Sequence, residues 1–219
     1  NEMMNRITVS DDPQFVHAVT MQNHFPYRPG RYPENKIQVS GLGTEFKEEL
    51  EVYTEGIRQT DLATKNLIDR VEESGEPTLI VFWGDHLPIL GEEKAIYKES
   101  GFGQGSDIEE NEKLFSETPL LYYANFDINE IKFNTISPAF ITPTLFDVLG
   151  TEKPAFYQFL SHVSQETSGL KGGLFINRDG DIVENISKEQ EKLFEQYALI
   201  QYDLLAGKQY SVPILFDNG

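Results

Sequence analysis

The sequence of 219 residues contains no cysteine, which excludes disulfide scaffolds, thiolate zinc sites and cysteine nucleophiles. Basic residues are scarce: 18 Lys and Arg stand against 36 Asp and Glu, for a net charge of -18. A field of this sign repels nucleic acid and anionic membrane surfaces, so no nucleic-acid partner is predicted. It also repels an anionic substrate, so a phosphate or sulfate ligand would need a local positive group such as a metal ion.

Long apolar runs are also absent, because the longest, such as Leu79–Trp83, fall far below the roughly 20 residues that a membrane helix needs. No signal peptide precedes Asn1, so we expect the chain itself to be soluble. A strand-like segment follows within about fifteen residues of Asn1, which favours a piece of a longer protein. Targeting and anchoring segments would then lie outside it. The hydrophobic content of 39% is enough for one domain or one domain with a small satellite.

The periodicity of the first two thirds predicts an α/β fold. Residues 15–21 are rich in strand formers, and the run at 77–84 lacks alternation, as is typical of a central strand covered on both faces. Between them, apolar residues recur at spacings of three, four and seven, which predicts a long amphipathic helix from Thr44 to Ser74. Residues 118–124 predict another strand. A helix leading into such a strand indicates a sheet with helices on its faces.

The last third predicts smaller elements. Short helices are expected within residues 138–150 and 154–160, and Arg178-Asp179-Gly180 is expected to be the turn of a hairpin over residues 173–183. An amphipathic helix is predicted from Lys188 to Leu205, with Ser187 as its N-cap. We therefore expect two domains: residues 1–167 in the main α/β domain and residues 168–219 in a small subdomain of sheet and helix.

The most informative polar residues are Asp85 and His86, which follow the apolar strand in the segment Gly-Asp-His-Leu-Pro at residues 84–88. Open α/β folds build their sites where strands end. A carboxylate and a neutral imidazole are both good ligands for divalent ions, and adjacent ligands can share one ion. The alternative is that Asp85 caps the following loop and His86 is an ordinary histidine.

His24 closes the other candidate strand and would face the same rim if the two strands are parallel neighbours. A histidine there suits an anionic substrate oxygen or general acid catalysis. The alternative is a histidine that packs on Tyr27 and hydrogen-bonds a loop carbonyl. Neither His17 nor His162 is assigned to a site, and strand packing or capping is preferred for Thr20, Thr118 and Thr142.

Five segments, in this order and over nearly the whole chain, resemble motifs of lipoteichoic acid synthase-like proteins of the alkaline phosphatase and sulfatase superfamily. They are Val-Thr-Met-Gln-Asn-His-Phe-Pro-Tyr at 19–27, Val-Phe-Trp-Gly-Asp-His-Leu-Pro at 81–88, Thr-Pro-Leu at 118–120, Ile-Ser at 136–137 with Pro-Thr-Leu-Phe-Asp-Val-Leu-Gly at 143–150, and Gln-Tyr-Asp-Leu-Leu-Ala-Gly-Lys at 201–208.

This resemblance implies that Asp85 and His86 are two ligands of a single divalent ion, commonly manganese, with magnesium, zinc and calcium as alternatives. It implies that His24 contacts the phosphate-bearing substrate. The remaining ligands and a nucleophilic threonine belong to motifs that should precede Asn1, and nothing in this sequence matches them. No catalytic nucleophile is therefore assigned in this chain, and we expect the chain alone to be inactive.

The implied reaction moves glycerol phosphate from a phosphatidylglycerol-type lipid to a polyol-phosphate or glycolipid acceptor through a covalent threonine intermediate. The implied location is the extracellular face of a bacterial cytoplasmic membrane. The missing N-terminal half of the same domain is the chain's implied partner. A sulfatase, a phosphoethanolamine transferase and a non-catalytic scaffold or binding fragment remain as alternatives.

Overall fold

The computed structural model describes residues 12–105 and 107–216. They form two compact units, with the division between Phe126 and Asp127. The predicted boundary at residue 168 falls inside the second unit, and a functional division at that point stays a prediction. No described helix has the length and apolar character that a membrane span requires.

The described residues of the first unit contain four helical elements and two strands. In chain order they are helix α1 (Thr44–Ser74), strand β1 (Leu79–Trp83), a 3₁₀ turn (Glu92–Lys94), helix α2 (Ala95–Ser100), helix α3 (Ile108–Leu114) and strand β2 (Leu120–Ala124). Helix α1 has the predicted bounds. Gly75 follows it in the left-handed conformation (φ 68°), which glycine adopts without steric cost at a helix C-terminus.

Strands β1 and β2 form an antiparallel pair in which Leu79 faces Ala124 and Trp83 faces Leu120. No residue of β1 is buried, and β1 pairs only with β2 among the described residues. The predicted burial of this strand on both faces is therefore not provided by the described residues themselves. Covering those faces would require groups beyond them.

The predicted strand at residues 15–21 does not form. This segment has no regular secondary structure, and Phe15 and Val19 are 91% and 72% exposed. Strand formers become a strand only when their backbone groups pair with a neighbouring strand. No strand in the described residues pairs with this segment.

The core of the first unit lies between α1, α2 and the loop that precedes α1. Its buried residues are Tyr27, Val52, Leu90, Ile96 and Tyr97. They come from four separate stretches of the chain, so this cluster joins the loops on either side of α1 and β1. We call it the unit 1 core.

The second unit contains a 3₁₀ turn (Pro138–Phe140), helix α4 (Ile141–Leu149), helix α5 (Ala155–Glu166), strands β3 (Gly169–Lys171) and β4 (Leu174–Ile176), helix α6 (Lys188–Leu205) and helix α7 (Val212–Phe216). Its core is formed by Phe140, Leu160, Val163, Leu193 and Tyr197. Helix α6 has the predicted bounds. Ser187 caps it in a reciprocal capping box with Gln190.

The predicted hairpin is present in a modified form. Ile176 and Ile182 form an isolated antiparallel bridge around the turn at Asn177–Asp181, as the Arg178-Asp179-Gly180 sequence predicts. The longer pairing, however, joins β4 to β3 through Gly172 and Gly173. Together with helix α6, these strands confirm an α/β fold with small antiparallel sheets.

Candidate metal and substrate site

Gly84 fixes the point at which the chain leaves strand β1. Its amide donates to the Pro119 carbonyl at 3.1 Å, and its carbonyl accepts from Thr118 Oγ1 at 2.6 Å. A Cβ atom at Gly84 would lie 3.0 Å from Thr118 Cβ, so a larger residue would push the two strands apart. Asp85 and His86 therefore follow directly after a strand end that two hydrogen bonds hold in place.

The chain beyond His86 is also anchored. The Tyr97 hydroxyl donates to the Pro88 carbonyl at 2.8 Å, Leu90 is buried in the unit 1 core, and the Gly91 amide donates to Glu49 Oε1 at 2.9 Å. The Asp85-His86 dipeptide thus lies on a short exposed segment held at both ends.

Asp85 and His86 have the geometry of two ligands of one ion. Asp85 Oδ2 lies 3.5 Å from His86 Nε2, and Asp85 Oδ1 accepts the His86 backbone amide at 2.9 Å. Ligands that each lie about 2.0–2.2 Å from an ion can be at most about 4.4 Å apart, so this pair fits. Both side chains are open to solvent, with exposed fractions of 78% for Asp85 and 66% for His86.

A backbone contact sets the tautomer of His86. Its Nδ1 lies 2.8 Å from the Leu87 carbonyl oxygen. Because a carbonyl oxygen can only accept, this hydrogen bond requires the proton on Nδ1 and leaves the lone pair on Nε2, the nitrogen that faces Asp85. Metal-binding histidines are commonly oriented by this kind of contact.

Two ligands are all that the described residues bring together. No group of three or more His, Asp or Glu side chains suited to a metal ion occurs within residues 12–105 and 107–216. The assignment of the Asp85-His86 pair to a metal site stays a prediction.

The loop that carries His24 is held against helix α1. Tyr27 is buried in the unit 1 core, and its hydroxyl donates to the Asn23 carbonyl at 2.7 Å. Asn23 Nδ2 donates to Thr60 Oγ1 at 2.8 Å. The peptide bond between Phe25 and Pro26 is cis. The hydrogen bonds of Asn23 and Tyr27 fix the backbone on both sides of His24.

Arg31 ties the same loop together through three carbonyl oxygens. Its guanidinium donates to His24 O at 2.8 Å and to Pro26 O at 3.2 Å, and it also contacts Gln22 O. The His24 ring is exposed, stacks on Phe25 with 4.8 Å between ring centroids, and has Nδ1 2.8 Å from the Phe25 carbonyl. By the same reasoning as for His86, Nε2 of His24 is left to meet a ligand.

The unit 1 core anchors both site segments, because Tyr27 comes from the His24 loop and Leu90 follows Asp85-His86. The two parallel neighbouring strands that were predicted to bring His24 and Asp85-His86 together do not occur among the described residues. Burial raises the pKa of Tyr27 and of Tyr97 to about 12, so both hydroxyls stay protonated at neutral pH and keep donating to their loop carbonyls.

Several residues that position the site were not predicted from the sequence. Glu49 acts on a residue 42 positions away and Arg31 on backbone carbonyls five to nine positions away, and no sequence pattern indicates either contact. Gly56 offered a signal, since a glycine in the middle of a long helix often has a packing reason. A Cβ at Gly56 would lie 2.4 Å from Asn23 Oδ1 and 3.0 Å from the Tyr32 hydroxyl, so Gly56 allows the His24 loop to approach α1.

The sequence matches the protein family described as Sulfatase over residues 1–151. Across 99% of its length it is 31% identical to a putative cyclic beta-1,2-glucan modification protein of Rhizobium meliloti, of which it covers 35%. It is 34% identical over 76 residues to the capsular polysaccharide biosynthesis protein RkpI of the same organism, 35% of this chain and 12% of that protein. The chain thus spans about a third of the length of the first of these relatives.

Among solved structures, the chain is similar to the Streptococcus pyogenes phosphoglycerol transferase GacH in complex with sn-glycerol-1-phosphate. The TM-score is 0.68 at 23% identity, over 91% of this chain and 46% of that one. This similarity shows a shared fold.

Proposed function

Because this chain belongs to the sulfatase family, we propose that it forms part of the catalytic domain of a metal-dependent phosphoglycerol transferase. The reaction moves glycerol phosphate from a phosphatidylglycerol-type lipid to an acceptor in the cell envelope. Support comes from the fold shared with a phosphoglycerol transferase and from the resemblance of residues 19–27 and 81–88 to lipoteichoic acid synthase-like motifs. A non-catalytic scaffold predicts no role for Asp85 and His86.

Asp85 Oδ2 and His86 Nε2 would hold one divalent ion, with Mn²⁺ preferred over Mg²⁺, Zn²⁺ or Ca²⁺. Such an ion polarises phosphoryl oxygens and offsets the chain's net charge of -18 near an anionic substrate. The Leu87 carbonyl keeps His86 in the ligating tautomer. The nucleophilic threonine and the remaining ligands would come from residues outside this chain.

His24 would donate from Nε2 to a phosphate oxygen of the substrate. Its Nδ1 contact with the Phe25 carbonyl fixes the ring, and Arg31 fixes the loop. A proton on Nε2 in addition to that on Nδ1 requires the imidazolium form, which an approaching phosphate favours.

The acceptor would be a glycan or glycolipid of the cell envelope. The printed names of two relatives, a putative cyclic beta-1,2-glucan modification protein and a capsular polysaccharide biosynthesis protein, support this choice. The reaction would take place at the outer face of a bacterial cytoplasmic membrane, with anchoring by segments outside this chain.

One observation carries the proposal: Asp85 Oδ2 and His86 Nε2 lie 3.5 Å apart, and a backbone contact leaves the His86 lone pair on the nitrogen that faces Asp85. The test is a transfer assay with the full-length protein in membranes and phosphatidylglycerol labelled in its head group. We expect Asp85→Asn and His86→Ala to reduce transfer at least a hundredfold, the range that loss of a metal's electrostatic contribution produces.

Matched controls are Asp127→Asn and His162→Ala, which change exposed residues of the same types in the second unit. Full activity of the Asp85 and His86 variants would refute the proposed metal site. Transfer from phosphatidylethanolamine, or hydrolysis of an aryl sulfate, in place of phosphatidylglycerol would assign the protein to another branch of the superfamily.

A further inference from the structure

A cavity in the second unit gathers positive charge in an otherwise acidic chain. Its volume is about 410 Å³, within the range of about 300–1,000 Å³ that small-molecule sites occupy. Lys132, Lys153 and Arg178 line it, together with a single carboxylate, Asp147. The whole sequence has twice as many acidic as basic residues, so this local balance is the reverse of the chain's average.

Carboxylates neutralise these three basic side chains only in part. Lys153 Nζ lies 2.7 Å from both carboxylate oxygens of Asp147, which neutralises that pair. Lys132 pairs only with Glu130 at 3.0 Å, and both side chains are largely exposed, so this pair is weak. Arg178 makes no hydrogen bond or ion pair within the part of the chain that the structure describes. Its guanidinium is free to bind an anion bidentately.

Two hydroxyl groups on the cavity wall also lack partners. Thr144 on α4 is 6% exposed, and its hydroxyl forms no hydrogen bond to any described residue. The Ser161 hydroxyl on α5 is buried and has no partner in residues 12–105 and 107–216. Helical Ser and Thr usually donate to a carbonyl one turn back, and a buried hydroxyl without a partner carries a desolvation cost. That cost applies to Ser161, whereas the Thr144 hydroxyl lines the cavity and is open to a hydroxyl group of a ligand.

We propose that this cavity binds a phosphorylated polyol or sugar. Arg178 and Lys132 would hold the phosphate, while Thr144 and the Asp147 carboxylate would bind hydroxyl groups of the ligand. The inference rests on the second unit alone and does not depend on the proposed reaction.

The test is calorimetric titration of the chain with three probes: sn-glycerol 1-phosphate, inorganic phosphate and glycerol. We expect the phosphorylated polyol to bind most tightly, inorganic phosphate more weakly and glycerol not measurably. Binding should weaken when NaCl is raised from about 0.05 M to about 0.3 M, since the charges are close to solvent.

Variants locate the binding. Arg178→Ala should weaken glycerol phosphate at least tenfold, which corresponds to about 1.4 kcal/mol. Thr144→Val should weaken glycerol phosphate but not inorganic phosphate, because only the hydroxyl contact is removed. Lys192→Ala, which removes one exposed positive charge from α6, should change neither affinity.

His24→Ala separates this cavity from the proposed substrate site, because binding that disappears with His24 but survives in Arg178→Ala belongs to the first unit and overturns the inference. Absence of saturable binding up to millimolar concentrations also overturns it. Equal affinity for phosphate and glycerol phosphate would overturn the part that assigns hydroxyl recognition to Thr144 and Asp147.

Discussion

Replacing Gly56 by alanine tests whether the His24 loop packs directly on helix α1. In an ordinary helix interior, alanine is more stable than glycine by about 0.5–1 kcal/mol, because glycine loses more backbone entropy on folding. At Gly56 the added Cβ would lie 2.4 Å from Asn23 Oδ1 and 3.0 Å from the Tyr32 hydroxyl. The first of these separations is too short for any carbon–oxygen contact, so the Asn23 side chain must shift, which disturbs its hydrogen bond to Thr60 Oγ1.

The expected magnitude follows from the two opposing effects. Overpacking of this kind costs about 1–3 kcal/mol, and the gain in helix propensity returns up to about 1 kcal/mol. We therefore expect Gly56→Ala to lower the free energy of unfolding by about 1 kcal/mol. The double variant Asn23→Ala/Gly56→Ala removes the closest contact and should recover much of that loss, with a coupling energy of about 1 kcal/mol.

The assay is urea unfolding followed by circular dichroism, with Ala63→Gly on the exposed face of α1 as calibration. That variant should lose about 1 kcal/mol, the ordinary cost of glycine in this helix. If Gly56→Ala instead gains about 1 kcal/mol, or if the two substitutions are additive, the loop does not lie against α1 and the positioning of His24 is wrong.

Three further results are expected. The Arg58 guanidinium and the Gln59 amide lower the pKa of Glu55 from 4.5 to about 2, so its stabilising contribution is present above about pH 4.5 and is lost as pH falls toward 2. The stability difference between wild type and Glu55→Gln, measured from urea midpoints, should therefore shrink over that pH window. A constant difference would contradict the account. Ser187→Ala should cost about 1 kcal/mol of unfolding free energy through loss of the capping box, whereas Ser40→Ala on an exposed loop should cost nothing; equal effects would argue against the cap. The chain of 219 residues by itself should bind Mn²⁺ only weakly and transfer no glycerol phosphate, since two ligands leave most of the coordination sphere to water; submicromolar binding by calorimetry would refute this.

Long periodic helices were the most predictable part of the fold. The bounds of α1 and α6 follow from apolar spacing and from local signals at their ends, the glycine at Gly75 and the serine cap at Ser187. Such signals act within a few residues, so the sequence contains all that is needed to read them.

Strands were less predictable because their formation depends on partners. Residues 15–21 have the composition of a strand, but nothing in the described chain pairs with them. Strand β3 was missed because Gly169–Lys171 is only three residues long and begins with a glycine. Its pairing with β4 depends on the turn at Gly172 and Gly173, both of which adopt positive φ.

The candidate site likewise combines residues that a local motif predicts with residues that no local pattern indicates. Asp85 and His86 were predicted from a motif at a strand end, and their 3.5 Å separation agrees with shared ligation. Arg31 and Glu49, which hold the loops around the site, act on residues up to 42 positions away. No local pattern indicates such contacts.

The most direct test of the account is manganese binding by the full-length protein, measured by electron paramagnetic resonance alongside glycerol phosphate transfer. We predict one tightly bound Mn²⁺ in the wild type and in Asp127→Asn, and loss of both the bound ion and transfer in Asp85→Asn and in His86→Ala. Retention of the ion and of transfer in those two variants would contradict the assignment of Asp85 and His86 as metal ligands.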